Sequence, residues 1–386
     1  MPLIEIPADL EKDRLEKILY KIPFISPSIR EARHAEGIIR VVTDETSHSA
    51  MDIEKKVRLL IEEVKNTKKF TSKIKRHNRK EGRKYHFNVF NELVETKQVI
   101  PYGNGLNCYG GDFFKLVRCI DRKLELYCES QKAQNWEFPE LLTMRDIHRI
   151  QYLNHYPHQA LAVSHVLENI ESIEALSKRA DGDSPIPASF LSEPDYLLRH
   201  ALCIHFYKIH ENESISPAPC RIATTIGKCN RYESKNMRTF ERLCQFTMRE
   251  IVYIGSTQTV NGERGRLMDF FCEMTERLDL EFELVTSNDP FFTVELDRKA
   301  LFQHVAETKY EMALPLDETR KLAVASFNYH GTSFSDAFQI CSALPDTRIH
   351  TACFGYGLER MAYAFLIQHG ANPRAWPPSV KDYLQW

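Results

Sequence analysis

The segment Cys353–Arg360, with the sequence CFGYGLER, constrains the fold most, because its two glycines run directly into a helical pattern. Apolar residues then repeat at helical spacing, and Gly370 followed by Pro373 predicts the end of the helix. Glycine lacks the Cβ that would keep a ligand off the backbone, and the Arg360 guanidinium offers a planar set of donors to phosphate oxygens. The segment therefore indicates a nucleotide site, although a glycine pair near a turn is more often a simple tight bend.

A second motif lies upstream, where Arg231–Glu233 (RYE) and Arg242–Glu250 (RLCQFTMRE) flank a polar loop. The pattern predicts a strand, a long loop and a second strand. Since side chains of a strand alternate between its faces, we expect Arg231 and Glu233 on one face. A solvated hairpin face is one interpretation. Phe246 is better explained as a platform for a stacked purine, because it is a lone phenylalanine among charged residues.

Together the two motifs resemble motifs 2 and 3 of the class II aminoacyl-tRNA synthetases. Shorter segments narrow the resemblance to the amino acid:[carrier protein] ligases, which are truncated relatives of the atypical seryl-tRNA synthetases. These segments are Phe246–Glu250 (FTMRE), Asn288–Phe292 (NDPFF), Ser326–His330 (SFNYH) and His350–Cys353 (HTAC). The resemblance runs from about residue 100 to the C-terminus and implies an α+β fold with a class II antiparallel sheet flanked by helices. Helical spacing from Leu267 to Leu278, followed by strand-like alternation from Leu280 to Leu284, predicts the same α+β core.

The resemblance also implies an ATP site. Its residues are Arg231, Glu233, Arg242, Phe246, Gly357 and Arg360. Activation of a carboxylate by ATP builds negative charge at the α-phosphate, so fixed cations are needed and a side-chain nucleophile is not. Arg231 would bridge the α-phosphate and the substrate carboxylate, and Arg360 would lie along the β- and γ-phosphates with Mg²⁺; these two are the predicted catalytic cations. Arg242 would assist at the phosphate tail. Glu233 would accept from the adenine amino group, and Phe246 would stack on the adenine.

A zinc site is implied in the same way, with Cys203, Glu250 and Cys353 as its protein ligands. Their spacing alone does not reveal it, since a free cysteine is usually a small buried hydrophobe. Three ligands with an open fourth position are typical of a zinc that binds substrate or water. By the resemblance, that position would take the α-amino group of the amino acid, which must lose its proton to coordinate.

The amino-acid pocket is predicted between two neighbouring strands, Lys309–Glu311 and Ser326–His330. Asn328 and Lys309 are the predicted substrate contacts. The alternative is an amide or an ammonium group whose hydrogen bonds are satisfied inside the sheet. The resemblance implies a small amino acid such as glycine or alanine, a choice that depends on pocket shape.

The chain up to residue 96 is predicted to be a small N-terminal α/β extension, and residues 97–386 the class II catalytic domain. Residues 38–42 are predicted to form a strand and residues 53–64 a helix. A basic run follows, in which only Glu81 is acidic: Lys65, Lys68, Lys69, Lys73, Lys75, Arg76, Arg79, Lys80, Arg83 and Lys84. A solvated helix face is the commonest explanation of such a run, and an acidic carrier protein or the tRNA backbone are the other candidate partners.

Composition fits a cytoplasmic enzyme. The 386 residues are 43% hydrophobic and carry a net charge of −2, enough to bury a large core. Ten cysteines without a disulfide framework, and no signal peptide or long apolar run, predict a reducing compartment and no membrane partner. By resemblance alone the protein is expected to be a homodimer, with motif 1 suggested by Phe138, Pro139 and the helical pattern after them.

Three functions remain as hypotheses. The first is ATP-dependent formation of an aminoacyl adenylate and transfer of the acyl group to the phosphopantetheine thiol of a carrier protein. The second is aminoacylation of tRNA, and the third is a catalytically silent paralogue that senses amino acid or nucleotide. The chain departs from the family pattern at Asn230, Ser234 and Thr247, where an aromatic residue, a proline and an arginine are common. The loop after Glu233 also looks slightly longer. These changes surround the predicted site without removing its ligands.

Overall fold

The structure is a computed structural model that describes residues 2–44, 47–66, 72–179, 184–287 and 307–386. The Asn288–Phe292 segment and the basic residues Lys68 and Lys69 lie outside these ranges. The strands are β1 (Leu3–Pro7), β2 (Ile29–Ala35), β3 (Ile38–Thr43), β4 (Ile74–Asn78), β5 (Val99–Gly103), β6 (Leu106–Tyr109), β7 (Gln134–Asn135), β8 (Leu141–Thr143), β9 (Ala162–Val163), β10 (Tyr196–Leu198), β11 (Ser214–Ile215), β12 (Arg221–Asn230), β13 (Gln245–Gly255), β14 (Phe282–Thr286), β15 (Lys309–Pro315), β16 (Lys321–Gly331), β17 (Cys341–Ser342) and β18 (His350–Gly357). The helices are α1 (Lys12–Lys21), α2 (Ser47–Asn66), α3 (Val89–Glu95), α4 (Gly111–Ser130), α5 (Met144–Arg149), α6 (Tyr152–His155), α7 (Ile170–Ser177), α8 (Cys203–Ile209), α9 (Thr257–Arg277), α10 (Ser333–Ala337), α11 (Leu358–His369) and α12 (Pro378–Leu384).

An eight-stranded sheet organises the larger part of the chain, in the order β4-β14-β15-β16-β18-β13-β12-β7. All neighbouring strands in it are antiparallel except β7 and β12, which run parallel. Helices α4, α9 and α11 contribute buried apolar residues to the core that covers this sheet. The predicted α+β class and its antiparallel sheet flanked by helices are confirmed.

Two helices of this core contain the segments that the sequence predicts to be helical, although α9 begins ten residues before the predicted pattern at Leu267. Helix α9 starts after Ser256, whose side chain accepts a hydrogen bond from the Thr259 N–H, and it buries Leu267, Phe271 and Met274. Helix α11 is buried on nearly every side, so it lies between other elements and not on the surface. It ends at Gly370, whose φ of 83° is in the left-handed region that glycine adopts without strain.

Residues 2–66, described for 2–44 and 47–66 and called here the N-terminal unit, have a core of their own. Strand β3 lies between β1 and β2 in a three-stranded antiparallel sheet. Apolar residues from this sheet and from α1 and α2 form a separate buried cluster, from Ile4 to Val64. The predicted strand at 38–42 and helix at 53–64 correspond to β3 and α2.

The predicted boundary after residue 96 does not coincide with the division between these two cores. Strand β4 pairs with β14 at the edge of the large sheet, and Val89 and Leu93 of α3 are buried in the core of the larger part. Residues 74–95 therefore pack with the class II sheet, because their apolar side chains find partners there and not in the N-terminal unit.

The interpretation of the basic run as a helix face is wrong for residues 73–84, which form β4 and the turn after it. Most of their charges are paired within the chain. Arg76 contacts Glu276 at 2.8 Å and Arg79 contacts Glu283 at 2.9 Å, while Lys80 and Arg83 both contact Asp279. Carboxylates of the larger part thus neutralise much of the positive charge of the basic run. The run is therefore a weaker candidate for binding an anionic partner than its sequence indicates.

Two further observations complete the fold. The helix after Phe138 and Pro139 is the short α5, whereas the long helix near them, α4, precedes them in the chain. No helix within the described ranges is both long and apolar enough to span a membrane.

Candidate active site

The central strands β12, β13 and β18 position the predicted nucleotide residues. Strand β12 ends at Asn230, so Arg231 and Glu233 lie in the loop after it and not on a strand face as predicted. Pairing of β12 with β13 ends at Asn230, and the Tyr232 N–H donates to the Gln159 carbonyl at 3.0 Å. Ser234, with a left-handed φ of 52°, then begins a short 3₁₀ turn. The Arg231 N–H still donates to the Cys244 carbonyl at 2.8 Å, so the two ends of the loop stay together.

Arg231 and Phe246 contact each other at one end of this loop. The Arg231 guanidinium carbon lies 5.3 Å from the centre of the Phe246 ring, within the range of a cation–π contact. Arg231 also donates to the His200 carbonyl, with the nearer nitrogen at 3.1 Å. Because His200 is three residues before Cys203, this bond connects the predicted phosphate contact to the predicted metal ligands.

Glu233 is buried, and its carboxylate links the start of the loop to Arg242 at the end of the loop. Arg242 Nη1 donates to its Oε2 at 3.2 Å, and Gln159 Nε2 donates to its Oε1 at 3.4 Å. The structure therefore brings Glu233 and Arg242 together as an ion pair. Gln159 is an unpredicted neighbour, since no sequence pattern connects it to either residue.

Arg360 lies in the first turn of α11, directly after β18, and donates to the Ala323 carbonyl at 3.1 Å. Burial lowers the pKa of its guanidinium to about 10, and the charge of Arg242 acts in the same direction. It remains a cation at neutral pH. An added Cβ at Gly357 would lie 3.7 Å from side-chain carbons of Arg360, an ordinary contact, so protein atoms alone do not require glycine there.

The three predicted metal ligands converge although they are far apart in sequence. Cys203 begins α8, Glu250 lies in β13 and Cys353 lies in the adjacent β18. Their donor atoms lie within 4.8 Å of one another, and all three residues are buried. The Leu202 and Cys203 N–H groups donate to the two Glu250 oxygens at 3.0 and 2.7 Å, which fixes the carboxylate.

The electrostatics of this cluster suit a cation. Burial, together with the nearby Cys353, raises the pKa of Glu250 to about 7. A hydrogen bond with the Cys353 sulfur, together with burial, raises the pKa of Cys203, whereas the same contact lowers the pKa of Cys353. Three acidic groups buried around one point are costly unless a positive charge neutralises them. Two sulfurs and one carboxylate oxygen are a donor set that zinc accepts, so the residues present fit this metal.

The predicted substrate residues lie opposite each other on neighbouring strands, since Lys309 of β15 pairs with Asn328 of β16. Asn328 Nδ2 points toward the cluster of predicted metal ligands and lies 3.7 Å from Cys353 Sγ. Lys309 is buried and pairs with Glu311 at 3.0 Å. Asn328 thus reaches the cluster. The ammonium group of Lys309 is instead paired inside the sheet, as the alternative interpretation of the sequence expects.

His330 is a neighbour of the cluster for which the sequence analysis predicts no role. Its Nε2 lies 3.6 Å from Cys353 Sγ, and its Nδ1 lies 3.4 Å from both the Tyr207 and Thr351 hydroxyls. It shares a strand face with Asn328, two residues earlier on β16. The alternation of side chains along β16 was the only sequence signal that could have placed His330 beside Asn328. It does not identify which strand lies next to the Cys353 sulfur.

Glu359 is a second missed residue and explains the departure at Thr247. It is buried, and it accepts hydrogen bonds from the Thr247 N–H at 2.8 Å, the Thr247 hydroxyl at 2.7 Å and the Tyr109 hydroxyl at 2.8 Å. Lys228 lies 3.5 Å away. Threonine at 247 therefore contributes to joining β13 to the start of α11.

The eight-stranded, mostly antiparallel sheet carries Arg231 just after β12 and Arg360 just after β18. This arrangement defines a protein of the class II aminoacyl-tRNA synthetase type. The fold is similar to that of the M. kandleri SerRS, solved in complex with A. aeolicus tRNASec, at a TM-score of 0.73 and 21% identity over 99% of this chain and 77% of that one. It is also similar to the cytoplasmic serine-tRNA ligase of Naegleria fowleri, solved with AMP, at a TM-score of 0.62 and 10% identity over 88% of this chain and 71% of that one.

Sequence comparison identifies the family. The chain is 33% identical over 249 residues to amino acid–[acyl-carrier-protein] ligase 2 of Bradyrhizobium diazoefficiens, covering 64% of this chain and 73% of that protein. It therefore belongs to the family of amino acid–[acyl-carrier-protein] ligases. It is also 31% identical over 260 residues to the type-2 serine–tRNA ligase of Methanocaldococcus jannaschii, over 64% of this chain and 49% of that protein, so it spans about half the length of that relative. No family model matches the chain.

Proposed function

We propose that the protein activates a small amino acid with ATP as an aminoacyl adenylate and transfers the acyl group to the phosphopantetheine thiol of a carrier protein. The observation that supports this best is the convergence of Cys203, Glu250 and Cys353 within 4.8 Å. The Arg231–His200 bond connects this cluster to the cations expected around ATP. A site for an amine beside a site for a polyphosphate is the arrangement that amino-acid adenylation needs.

In this proposal the chain's residues position and stabilise charge. Arg231 holds the amino-acid carboxylate against the α-phosphate, and Arg360 neutralises the departing pyrophosphate, whose charge Mg²⁺ shares. Glu233 accepts from the adenine amino group while Phe246 stacks on the ring. Gly357 leaves room for the nucleotide beside Arg360.

Amino-acid recognition falls to the cluster. Cys203, Glu250 and Cys353 would hold a zinc ion, whose chemistry when bound is to accept the deprotonated α-amino group as a Lewis acid. Asn328 orients the substrate from β16. Lys309 contributes less directly, because Glu311 already pairs with its ammonium group. The thiol of the carrier protein then attacks the activated carbonyl, so that a thioester forms while the acyl–phosphate bond breaks and AMP leaves; as a thiolate, the sulfur needs little assistance.

Aminoacylation of tRNA is the second candidate, because type-2 serine–tRNA ligases are among the relatives. We prefer the hypothesis of transfer to a carrier protein, because the matched region covers 73% of the amino acid–[acyl-carrier-protein] ligase and only 49% of the type-2 serine–tRNA ligase. The cytoplasm, where ten free cysteines would stay reduced, is the proposed compartment.

The test is amino-acid-dependent exchange of pyrophosphate into ATP with each of the twenty amino acids, with zinc present and after chelation. We expect exchange with one or two small amino acids, lost on chelation and restored by zinc. Transfer is then measured to a phosphopantetheinylated carrier protein and, in parallel, to total tRNA. Transfer to tRNA without transfer to the carrier protein would reject the hypothesis of a carrier-protein ligase. No exchange with any of the twenty, despite ATP binding, would favour a silent paralogue.

A further inference from the structure

The N-terminal unit docks directly on the loop between Glu233 and Arg242, called here the motif 2 loop (residues 234–241). Polar side chains of the loop donate to backbone carbonyl groups at the end of α1 and in the segment that follows it. These bonds join Ser234 to Pro23 at 3.5 Å, Lys235 to Pro27 at 2.9 Å and Asn236 to Tyr20 at 3.2 Å. Lys235 also donates to the Ile29 carbonyl, and Arg238 lies 3.7 Å from Glu31. The loop flanked by Glu233 and Arg242, two of the predicted ATP residues, is thus held from outside the class II sheet.

Ser234, one of the departures from the family pattern, fits this contact. Its φ of 52° is closed to proline, whose ring fixes φ near −65°. The residue is buried, and its hydroxyl faces Pro23 of the N-terminal unit. Replacing the common proline by serine therefore gives the loop a backbone turn that presents residues 234–236 to the N-terminal unit.

Tyr20, near the end of α1, extends this contact into the predicted ATP site. Its ring centre lies 4.7 Å from the Arg242 guanidinium carbon. Its hydroxyl accepts from Gln159 Nε2 at 3.5 Å, and the same nitrogen donates to Glu233 Oε1 at 3.4 Å. The hydroxyl also lies 3.3 Å from His158 Nε2. One side chain therefore touches Arg242 through its ring and reaches Glu233 through Gln159.

We propose that the N-terminal unit forms part of the adenylation site, and that Tyr20 is a positioning residue that holds Glu233 and Arg242 for ATP. This inference rests on the proposed function, in which Glu233 accepts from adenine and Arg242 contacts the phosphate tail. When the adenine amino group takes Glu233, Arg242 loses its carboxylate partner. The Tyr20 ring then keeps the guanidinium beside the loop, and Gln159 keeps the carboxylate oriented.

The test is pyrophosphate exchange by the full chain with ATP and the amino acid varied separately. Tyr20→Leu keeps apolar bulk against Phe24 but removes the aromatic ring and the hydroxyl. We expect it to raise KM for ATP about fivefold to tenfold, with kcat and KM for the amino acid within about twofold of wild type. Tyr20→Phe keeps the ring and loses only the hydroxyl, so its KM for ATP should lie between that of wild type and that of Tyr20→Leu.

Met51→Ala is the matched control, since Met51 is an exposed residue of α2 in the same unit. It should leave all three constants unchanged. Ser234→Pro is an independent variant that breaks the docking turn without touching Tyr20, and it should also raise KM for ATP. Unchanged KM for ATP in Tyr20→Leu would overturn the proposal. So would a parallel rise of both KM values with a lower melting temperature, because Tyr20 would then only stabilise the fold.

Calorimetric titration with ATP separates this inference from the proposed function. If wild type shows no exchange but binds ATP more tightly than Tyr20→Leu, the proposed function fails and the role of Tyr20 stands. Equal dissociation constants for the two proteins, or no ATP binding by wild type, would reject the role of Tyr20.

Discussion

At the residue scale, charge placement distinguishes this site from an ordinary sheet edge. Arg231 is held on one side by the Phe246 ring and on the other by the His200 carbonyl, and Arg360 is anchored to the Ala323 carbonyl. None of these three contacts is an ion pair. Both guanidinium groups therefore keep their charge available for an anionic ligand, as the phosphates of ATP require.

We predict that Arg231→Ala lowers kcat for pyrophosphate exchange about 100-fold to 1000-fold, because a fixed cation at the developing charge is lost. Arg348→Ala is the control. Arg348 is 67% exposed and pairs with Asp336, so its loss should change the rate less than twofold. An Arg231→Ala enzyme with wild-type exchange would show that another group contacts the α-phosphate.

The predicted metal ligands give a second prediction at the residue scale, and its measurement is zinc content, which does not depend on enzymatic activity. Cys353→Ser should purify with less than one tenth of the zinc of wild type by elemental analysis, because one soft ligand of three is weakened. Cys341→Ser, at an exposed cysteine outside the cluster, should keep the full zinc content. His330→Gln should reduce zinc retention only partly, since His330 contacts Cys353 without being a predicted ligand. Equal zinc in Cys353→Ser and wild type would remove Cys353 from the site.

At the element scale, buried polar contacts fix how helices lie on the sheet. Arg249 of β13 and Asp121 of α4 are both buried, and Arg249 Nη2 donates to Asp121 Oδ2 at 2.9 Å. This pair joins α4 to the strand that carries Glu250. His369, at the end of α11, is also buried and lies 3.0 Å from the Leu278 carbonyl with its Nε2. Each contact has a consequence that unfolding experiments can measure.

Asp121→Asn is predicted to lower the free energy of unfolding by about 3 kcal/mol, because it leaves the Arg249 charge buried without its partner. The double variant Asp121→Leu/Arg249→Met removes both charges and should recover most of that loss. Urea denaturation of the three proteins measures both values. A single variant as stable as wild type would mean that water already reaches the Arg249 guanidinium.

Burial lowers the pKa of His369 to about 4, so the fold favours its neutral form. The unfolded chain takes up the proton near its ordinary pKa of about 6.5, and stability is therefore lost as the pH falls from about 6.5 toward 4. The loss from this group reaches at most ~3 kcal/mol. His369→Gln should show a smaller fall in the free energy of unfolding than wild type between pH 7 and 5. Parallel curves would assign the effect to other groups.

At the scale of the whole molecule, two cores meet at the candidate site. The N-terminal unit has its own buried cluster, and the larger part is built on the eight-stranded sheet. They meet through the motif 2 loop. Large apolar side chains of the β5–β6 hairpin and of α4 remain exposed in the single chain, among them Ile100, Tyr102, Leu106 and Phe114. Exposed apolar groups of this kind are common at protein interfaces.

We predict a homodimer, as the resemblance implies, and expect burial of these apolar groups to contribute to its stability. Sedimentation velocity at micromolar concentration should show a single species of twice the chain mass of 44.9 kDa. Phe114→Glu should shift the species toward monomer, whereas Leu59→Glu, at an exposed position of α2, should not. A wild-type protein that sediments only as monomer would contradict the prediction.

The sequence by itself determined the α+β class, helices α9 and α11 and the residue types of the candidate site, because local periodicity and short motifs express these directly. Tertiary structure decided where Arg231 and Glu233 lie, since strand pairing ends at Asn230 and the Tyr232 N–H donates to the distant Gln159 carbonyl. It also decided that much of the basic run is neutralised by carboxylates about 200 residues away in the chain, and that His330, Gln159 and Tyr20 belong near the site. Contacts between distant segments depend on how sheets and loops pack, and spacing along the chain carries no record of that packing.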